Sequence, residues 1–189
     1  AIDPAEKSNI PVDSPVVSFK DEKLLKKALK SYLKEILGSD FSEKTFKEAF
    51  TAAIKAENTF ENTLAEKAIE TLEKAKKSDR MVILLAGRPY HNDPLIQHKV
   101  SEIMTSFGID VVTEDVARGV DDATKDSHII PQWSYMNRIM RAAKMVAESK
   151  DNIHFVQLTN FGCGPDAFIL DEVSDVLRRY GKNHTILKV

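Results

Sequence analysis

Three short segments hold most of the residue types in this chain that could do chemistry. They are GRPYHNDP at 87–94, QWSY at 132–135 and TNFGCGPD at 159–166. Together they contain Arg, His, Tyr, Trp and Asn side chains and the only Cys of the sequence. Each comes directly before, or opens, a stretch with helical periodicity. We therefore expect all three where strands or loops give way to helices.

The GRPYHNDP segment has the residue types of an anion-binding turn. Gly87 permits a sharp backbone turn, and Arg88 offers a planar fork for a phosphate or carboxylate. Tyr90 and His91 add hydrogen-bond donors near a helix start, where anions are favoured. The segment is neither the dinucleotide fingerprint G-x-G-x-x-G nor a Walker loop. The alternative is a structural turn in which prolines fix the path and Arg88 forms an internal salt bridge.

Cys163 lies between two glycines, immediately before a predicted helix. The helix dipole there favours a thiolate, which could ligate iron or act as a nucleophile. The glycines would keep the space above the sulfur open, so we expect a partly accessible sulfur near Arg88 or His91. One thiolate cannot hold an iron–sulfur cluster by itself. The alternative is a small buried residue in a tight turn.

Aromatic and amide side chains complete the set of candidates. Trp133 and Tyr135 open a helix, where they could stack on a ligand ring or cover the core. Asn160 follows the third predicted strand. The remaining histidines show no metal-ligand spacing: His98, His128, His154 and His184.

The elements that position these residues follow from the hydrophobic pattern. Short apolar runs predict four strands, at 81–87, 109–113, 153–158 and 184–189. Amphipathic stretches predict the helices between them, at 94–107, 131–149 and 165–180. This alternation predicts an α/β fold with a parallel sheet and right-handed crossovers. We expect a Rossmann-like or flavodoxin-like strand order of 2-1-3-4, with strands one and three adjacent.

A helical region precedes the α/β pattern. One amphipathic stretch ends at the stop signal Gly38, and a second could run to about Lys77 with a break near 57–59. Their short link predicts an antiparallel helical hairpin.

The predicted organisation is an extended segment at 1–18, a helical lead-in at 19–79 and an α/β domain at 80–189. The chain starts without Met and ends on a predicted strand, so we expect part of a larger multidomain protein.

The composition restricts the classes of function. Charged residues are 30%, hydrophobic residues are 42% and the net charge is −2, which is ordinary for a globular protein and does not favour nucleic acid. A single Cys cannot form an internal disulfide, which fits a reducing, cytoplasmic compartment. The sequence has no signal peptide and no apolar run that could span a membrane. We expect neither nucleic acid nor a membrane as a partner.

Three longer motifs around these segments resemble a known family. GRPYHNDPLIQH, IPQWSYMNRIMRAA and QLTNFGCGPDAFILDEV are similar to the large activase-related proteins of the anaerobic 2-hydroxyacyl-CoA dehydratase system. The resemblance covers roughly residues 80–189, whereas residues 1–79 match only in character. Proteins of that family combine sugar-kinase-like ATPase activator domains with a region similar to the dehydratase component.

The resemblance implies an iron–sulfur chemistry. In that system an ATP-driven activator with a [4Fe-4S] cluster passes one electron to the dehydratase component, and a ketyl radical of the acyl-CoA loses water. By analogy, Cys163 is a candidate cluster ligand in the full-length protein, and we expect no cluster in this chain alone. Dehydratase subunits or other domains of the same polypeptide would be its partners.

Three hypotheses for the function follow. The first is a domain of a dehydratase or activase-type iron–sulfur protein that is not catalytic alone, so no catalytic residue is assigned. It would bind an acyl-CoA or another anionic small molecule through Gly87, Arg88, Tyr90, His91, Trp133 and Asn160. The second is a non-enzymatic α/β scaffold or docking module with a structural Cys163. The third, a hydrolase using Cys163 and His91, is weakest because no orienting acid or oxyanion motif is evident.

Overall fold

The structure is a computed structural model that describes residues 13–118, 133–160 and 164–188. The chain forms two compact units that divide between Thr59 and Phe60. Within the described ranges, none of the helices is both long and apolar enough to cross a membrane.

The first unit is helical, as the sequence predicted. Helix α1 spans Glu22–Leu37, and the Asp21 carboxylate caps it by accepting hydrogen bonds from the first backbone N–H groups. A 3₁₀ turn at Gly38–Asp40 leads to α2, which spans Glu43–Lys77. The two helices pack through a small apolar core formed by Leu25, Phe46 and Phe50. Helix α2 continues through 57–59, where its length had left a break possible, and it contains neither Pro nor Gly.

The second unit is built on a four-stranded parallel sheet. Its strands are β1 at Val82–Ala86, β2 at Asp110–Thr113, β3 at Ile153–Thr159 and β4 at His184–Lys188. The order is β2-β1-β3-β4, which confirms the predicted α/β fold and the adjacency of the first and third strands. The register places Ala86 of β1 opposite Gln157 of β3.

Helices cover both faces of this sheet. They are α3 at Val100–Ser106, α4 at Ser134–Glu148 and α5 at Gly164–Arg179. The larger core joins one face of the sheet to α4, α5 and the C-terminal part of α2, with Leu84, Met140 and Ile169 fully buried. The opposite face packs its apolar side chains against Met104 of α3. Central strands buried on both faces explain why the sequence shows continuous apolar runs rather than alternation.

Two local differences from the sequence prediction bear on the sheet's carboxyl edge. The helix predicted over 94–107 begins only at Val100, because His98 and Lys99 adopt positive φ angles of 52° and 58°. The polar stretch after β2 shows no hydrophobic periodicity in the sequence, yet Glu114–Ala117 form a 3₁₀ turn whose four residues are all buried. Two of these four residues are acidic, so hydrophobic periodicity gave no sign of their burial.

Candidate functional site

The candidate site lies where the carboxyl ends of β1 and β3 meet. Gly87 and Arg88 follow β1 directly, while Thr159 ends β3 and Asn160 follows it. The chain leaves β1 towards β2 on one side and leaves β3 towards β4 on the other. This edge is therefore the topological switch point, where open α/β sheets place their ligands.

The turn after β1 is a 3₁₀ helix at Pro89–Asn92, closed by reciprocal hydrogen bonds. The His91 N–H donates to the Arg88 carbonyl at 2.8 Å, and the Arg88 N–H donates to His91 Nδ1 at 3.0 Å. A Cβ on residue 87 would lie 2.5 Å from His91 Nδ1. Gly87 is thus required by the close approach of the imidazole ring, a packing role in addition to the turn that the sequence suggested.

The Arg88 side chain is held by an internal ion pair. Its Nε and Nη2 atoms each lie 3.0 Å from Oδ1 of Asp166, whose side chain is only 5% exposed. This hydrogen bond raises the pKa of Arg88. The guanidinium also lies over the Tyr135 ring, 5.0 Å from its centroid. An internal salt bridge of Arg88 was the expected mark of a purely structural GRPYHNDP turn, and this pair is such a salt bridge.

Asp166 collects further donors at the start of α5. The Thr159 hydroxyl donates to Oδ2 at 3.2 Å, and the Tyr135 hydroxyl approaches Oδ1 at 3.4 Å. Asp166 therefore ties β1, β3, α4 and α5 together at one point. We did not single it out from the sequence, although it lies within the TNFGCGPD segment. An acid in the first turn of a helix was the only signal available.

A second hydrogen-bonded chain runs from the interior to the surface. His91 is 1% exposed, and its Nε2 lies 3.2 Å from Asn160 Oδ1. The Asn160 amide Nδ2 donates to the Tyr90 hydroxyl oxygen, and the Tyr90 ring packs edge-on against the imidazole. Tyr90 is 40% exposed. Three of the predicted ligand-binding residues are thus in direct contact, with Tyr90 at the outer end.

The remaining predicted residues are more peripheral or lie outside the described part. Trp133 is exposed and stacks on Tyr135 with centroids 6.0 Å apart, so it is linked to Arg88 through that ring. Cys163, the predicted cluster ligand, lies outside the described residues. Whether the six predicted residues bind a ligand stays a prediction.

Glu114 is a buried acid that the sequence analysis missed. It is 2% exposed, and neither carboxylate oxygen has a hydrogen-bond partner among the described residues. Burial raises its pKa from 4.5 to about 7, although its own backbone N–H and the positive charge of Arg138 on α4 partly oppose this rise. The signal was its position, since it directly follows β2 at the same edge of the sheet as the turn after β1.

The residues of this chain do not by themselves fit a [4Fe-4S] cluster. The described residues contain no group of three or more His, Cys, Asp or Glu side chains that could hold a metal ion. The sequence supplies a single Cys, whereas such clusters are held by four thiolates.

Fold and site together define an α/β unit with a hydrogen-bonded switch-point edge. The chain belongs to the family described as the CoA enzyme activase uncharacterised domain, whose family model matches residues 1–117. This match confirms the resemblance to CoA-enzyme activase-related proteins, and it includes the helical region as well as the first two strands. Neither a curated protein nor a solved structure matches the chain.

Proposed function

We propose that this chain is a ligand-binding domain of a 2-hydroxyacyl-CoA dehydratase or activase-type iron–sulfur protein of anaerobic acyl-CoA metabolism. Membership in the CoA enzyme activase-related family supports the CoA link. The domain is cytoplasmic and not catalytic alone. It acts with other domains of the same polypeptide or with dehydratase subunits.

The ligand in this proposal is an acyl-CoA or another anionic small molecule at the edge between β1 and β3. The observation that carries it is the His91–Asn160–Tyr90 chain, which ends in an exposed hydroxyl at the switch point. Arg88 contributes through its position rather than as an unpaired charge, because Asp166 balances its charge. The ion pair with Asp166 fixes the planar Arg88 guanidinium beside the turn, where it lies over the Tyr135 ring.

The test is the affinity of the full chain for CoA, measured by calorimetry. We expect Arg88→Ala to weaken binding about tenfold, equivalent to about 1.4 kcal/mol. Arg80→Ala is the matched control, because Arg80 also forms an Arg–Asp pair, with Asp110 at 2.6 Å, but at the amino end of β1. Circular dichroism checks that both variants are folded. Equal affinity of wild type and the folded Arg88→Ala variant would contradict the proposed site.

Cys163 is proposed as a cluster ligand only in the full-length protein, together with ligands from outside this chain. Anaerobic iron reconstitution of that protein tests it. Cys163→Ser should lower the iron content, whereas Ser174→Ala, a hydroxyl removed from α5, should leave it unchanged. Wild-type iron loading of the Cys163→Ser variant would exclude the residue as a ligand.

The second candidate function is a non-enzymatic scaffold or docking module. The ion pair between Arg88 and the almost fully buried Asp166 favours it, because that pair joins elements of the fold. A chain that fails to bind CoA, but whose stability depends strongly on Asp166, would fit the scaffold instead.

A further inference from the structure

The Arg88 backbone N–H determines which group donates and which accepts in the hydrogen bonds that connect the turn after β1 to Asn160. The Arg88 N–H can only donate, and its partner at 3.0 Å is His91 Nδ1. This nitrogen must therefore present a lone pair. The buried imidazole is consequently neutral in this arrangement, with its proton on Nε2.

The proton on Nε2 determines the orientation of the Asn160 amide. His91 Nε2–H donates to the oxygen 3.2 Å away, which must be Oδ1 rather than the amide nitrogen. The amide nitrogen Nδ2 then faces Tyr90 and donates to its hydroxyl oxygen. Each group in the chain donates to the next, from Arg88 outward.

Tyr90 is the last residue in this series of hydrogen bonds, and its hydroxyl oxygen acts there as an acceptor. The hydroxyl proton of Tyr90 takes no part in the series. None of the described residues accepts that proton, and the side chain is at the surface, 40% exposed. We propose that the Tyr90 O–H is the donor with which this edge recognises an oxygen acceptor of its ligand, a phosphate or a thioester carbonyl. This inference rests on the proposed function, because it specifies how the CoA-type ligand is bound.

Two substitutions remove this donor in different ways. Tyr90→Phe deletes the hydroxyl and keeps the ring that packs against His91. Asn160→Asp keeps an oxygen for the His91 Nε2–H but replaces the Nδ2 donor with a second acceptor. The Tyr90 hydroxyl would then turn inward and donate to the new carboxylate. Its O–H would no longer be available as a donor to the ligand.

A double-mutant cycle separates hydroxyl direction from charge. Asn160→Asp also adds a negative charge, which would weaken anion binding even if Tyr90 played no part. In the Tyr90→Phe background no hydroxyl can be redirected, so any remaining effect of Asn160→Asp reports the charge alone. We expect Tyr90→Phe and Asn160→Asp each to weaken binding about tenfold. In the Tyr90→Phe background, Asn160→Asp should weaken binding further by clearly less than tenfold.

The probes are CoA, acetyl-CoA and adenosine 3′,5′-bisphosphate, measured by calorimetry on the full chain. Tyr180→Phe is the control, because Tyr180 is an exposed tyrosine just past the end of α5. An equal loss for all three probes identifies a phosphate as the acceptor. A loss restricted to acetyl-CoA identifies the thioester carbonyl. Circular dichroism again checks folding.

Other outcomes would overturn the inference. Wild-type binding that is unchanged by Tyr90→Phe overturns it while leaving the proposed function intact. Fully additive losses from Tyr90→Phe and Asn160→Asp would show that the hydroxyl is not redirected, which also contradicts it. If the wild-type chain binds none of the three probes, both the proposed function and this inference fail.

Discussion

Two buried carboxylates at the same edge of the sheet differ in almost everything except burial. Asp166 is 3% exposed and Glu114 is 2% exposed. Asp166 accepts hydrogen bonds from Arg88 and Thr159, with the Tyr135 hydroxyl also nearby. Glu114 has no hydrogen-bond partner among the described residues, and its pKa is raised to about 7.

The difference between the two acids lies in the partners that each has, since both are buried. Desolvation penalises the charged form of both acids. At Asp166 a cation and a hydroxyl offset that cost, so the charge can serve to join elements of the fold. At Glu114 its own backbone N–H and the positive charge of Arg138 offset it only in part, so the pKa stays raised at about 7. Asp166 joins elements of the fold, whereas burial raises the pKa of Glu114 to about 7.

The largest effect is expected from Asp166→Asn. It removes the negative charge while Arg88 stays only 24% exposed. Breaking a buried pair costs roughly 3–5 kcal/mol, and because Arg88 retains some access to water we expect about 3 kcal/mol of lost unfolding free energy in urea titrations. Asp175→Asn is the matched control on the same helix, since the Asp175–Arg178 pair at 3.0 Å is on the surface. The control should change stability by less than about 0.5 kcal/mol. Equal losses of stability for Asp166→Asn and Asp175→Asn would show that the buried pair of Asp166 is worth no more than a surface pair, which contradicts its structural role.

A smaller effect, opposite in sign, is expected from Glu114→Gln. Because the folded-state pKa lies above the ordinary value of 4.5, the folded chain holds more protons than the unfolded chain between pH 4.5 and about 7. The contribution of Glu114 to stability is therefore fully present below pH 4.5, falls through this window and stays low above it. The variant should be more stable than wild type by roughly 2–3 kcal/mol at pH 8, with little difference at pH 4.5.

The measurement for Glu114 is the difference in unfolding free energy between variant and wild type at several pH values. The exposed Glu73→Gln on α2 serves as the control for general charge effects. A difference that does not change between pH 4.5 and pH 8 would show that folding does not raise the pKa of Glu114.

The smallest effect is expected from Thr159→Val. This substitution keeps the shape of a fully buried residue and removes one donor to Asp166 Oδ2. A hydrogen bond to a charged group is worth about 1.5 kcal/mol, and the gain in apolar burial reduces this, so we expect a loss of about 1 kcal/mol. Thr185→Val, at an exposed position of β4, should be neutral. In an Asp166→Asn background the effect of Thr159→Val should shrink, because its charged acceptor is gone.

The sequence was sufficient for the sheet but not for the polar contacts at its edge. Apolar runs alternating with amphipathic stretches report burial on two faces and predict parallel strands in the order 2-1-3-4, as observed. The same pattern placed Arg88, Tyr90, His91 and Asn160 near one edge. It contains no information about pairing between residues 78 positions apart, such as Arg88 and Asp166. It also treats acidic residues as exposed, which is why the burial of Glu114 was missed.

The close approach of His91 to Gly87 has a consequence for how this sequence can diverge. Any side chain at position 87 would displace the imidazole, whose Nδ1 lies 2.5 Å from where a Cβ would be. A histidine at position 91 is therefore compatible only with glycine at position 87. A lineage that gains a side chain at 87 must also give up the imidazole, and with it the link to Asn160 and Tyr90. Among homologues, a side chain at position 87 should thus not occur together with His91, whereas Gly87 can remain when His91 is replaced.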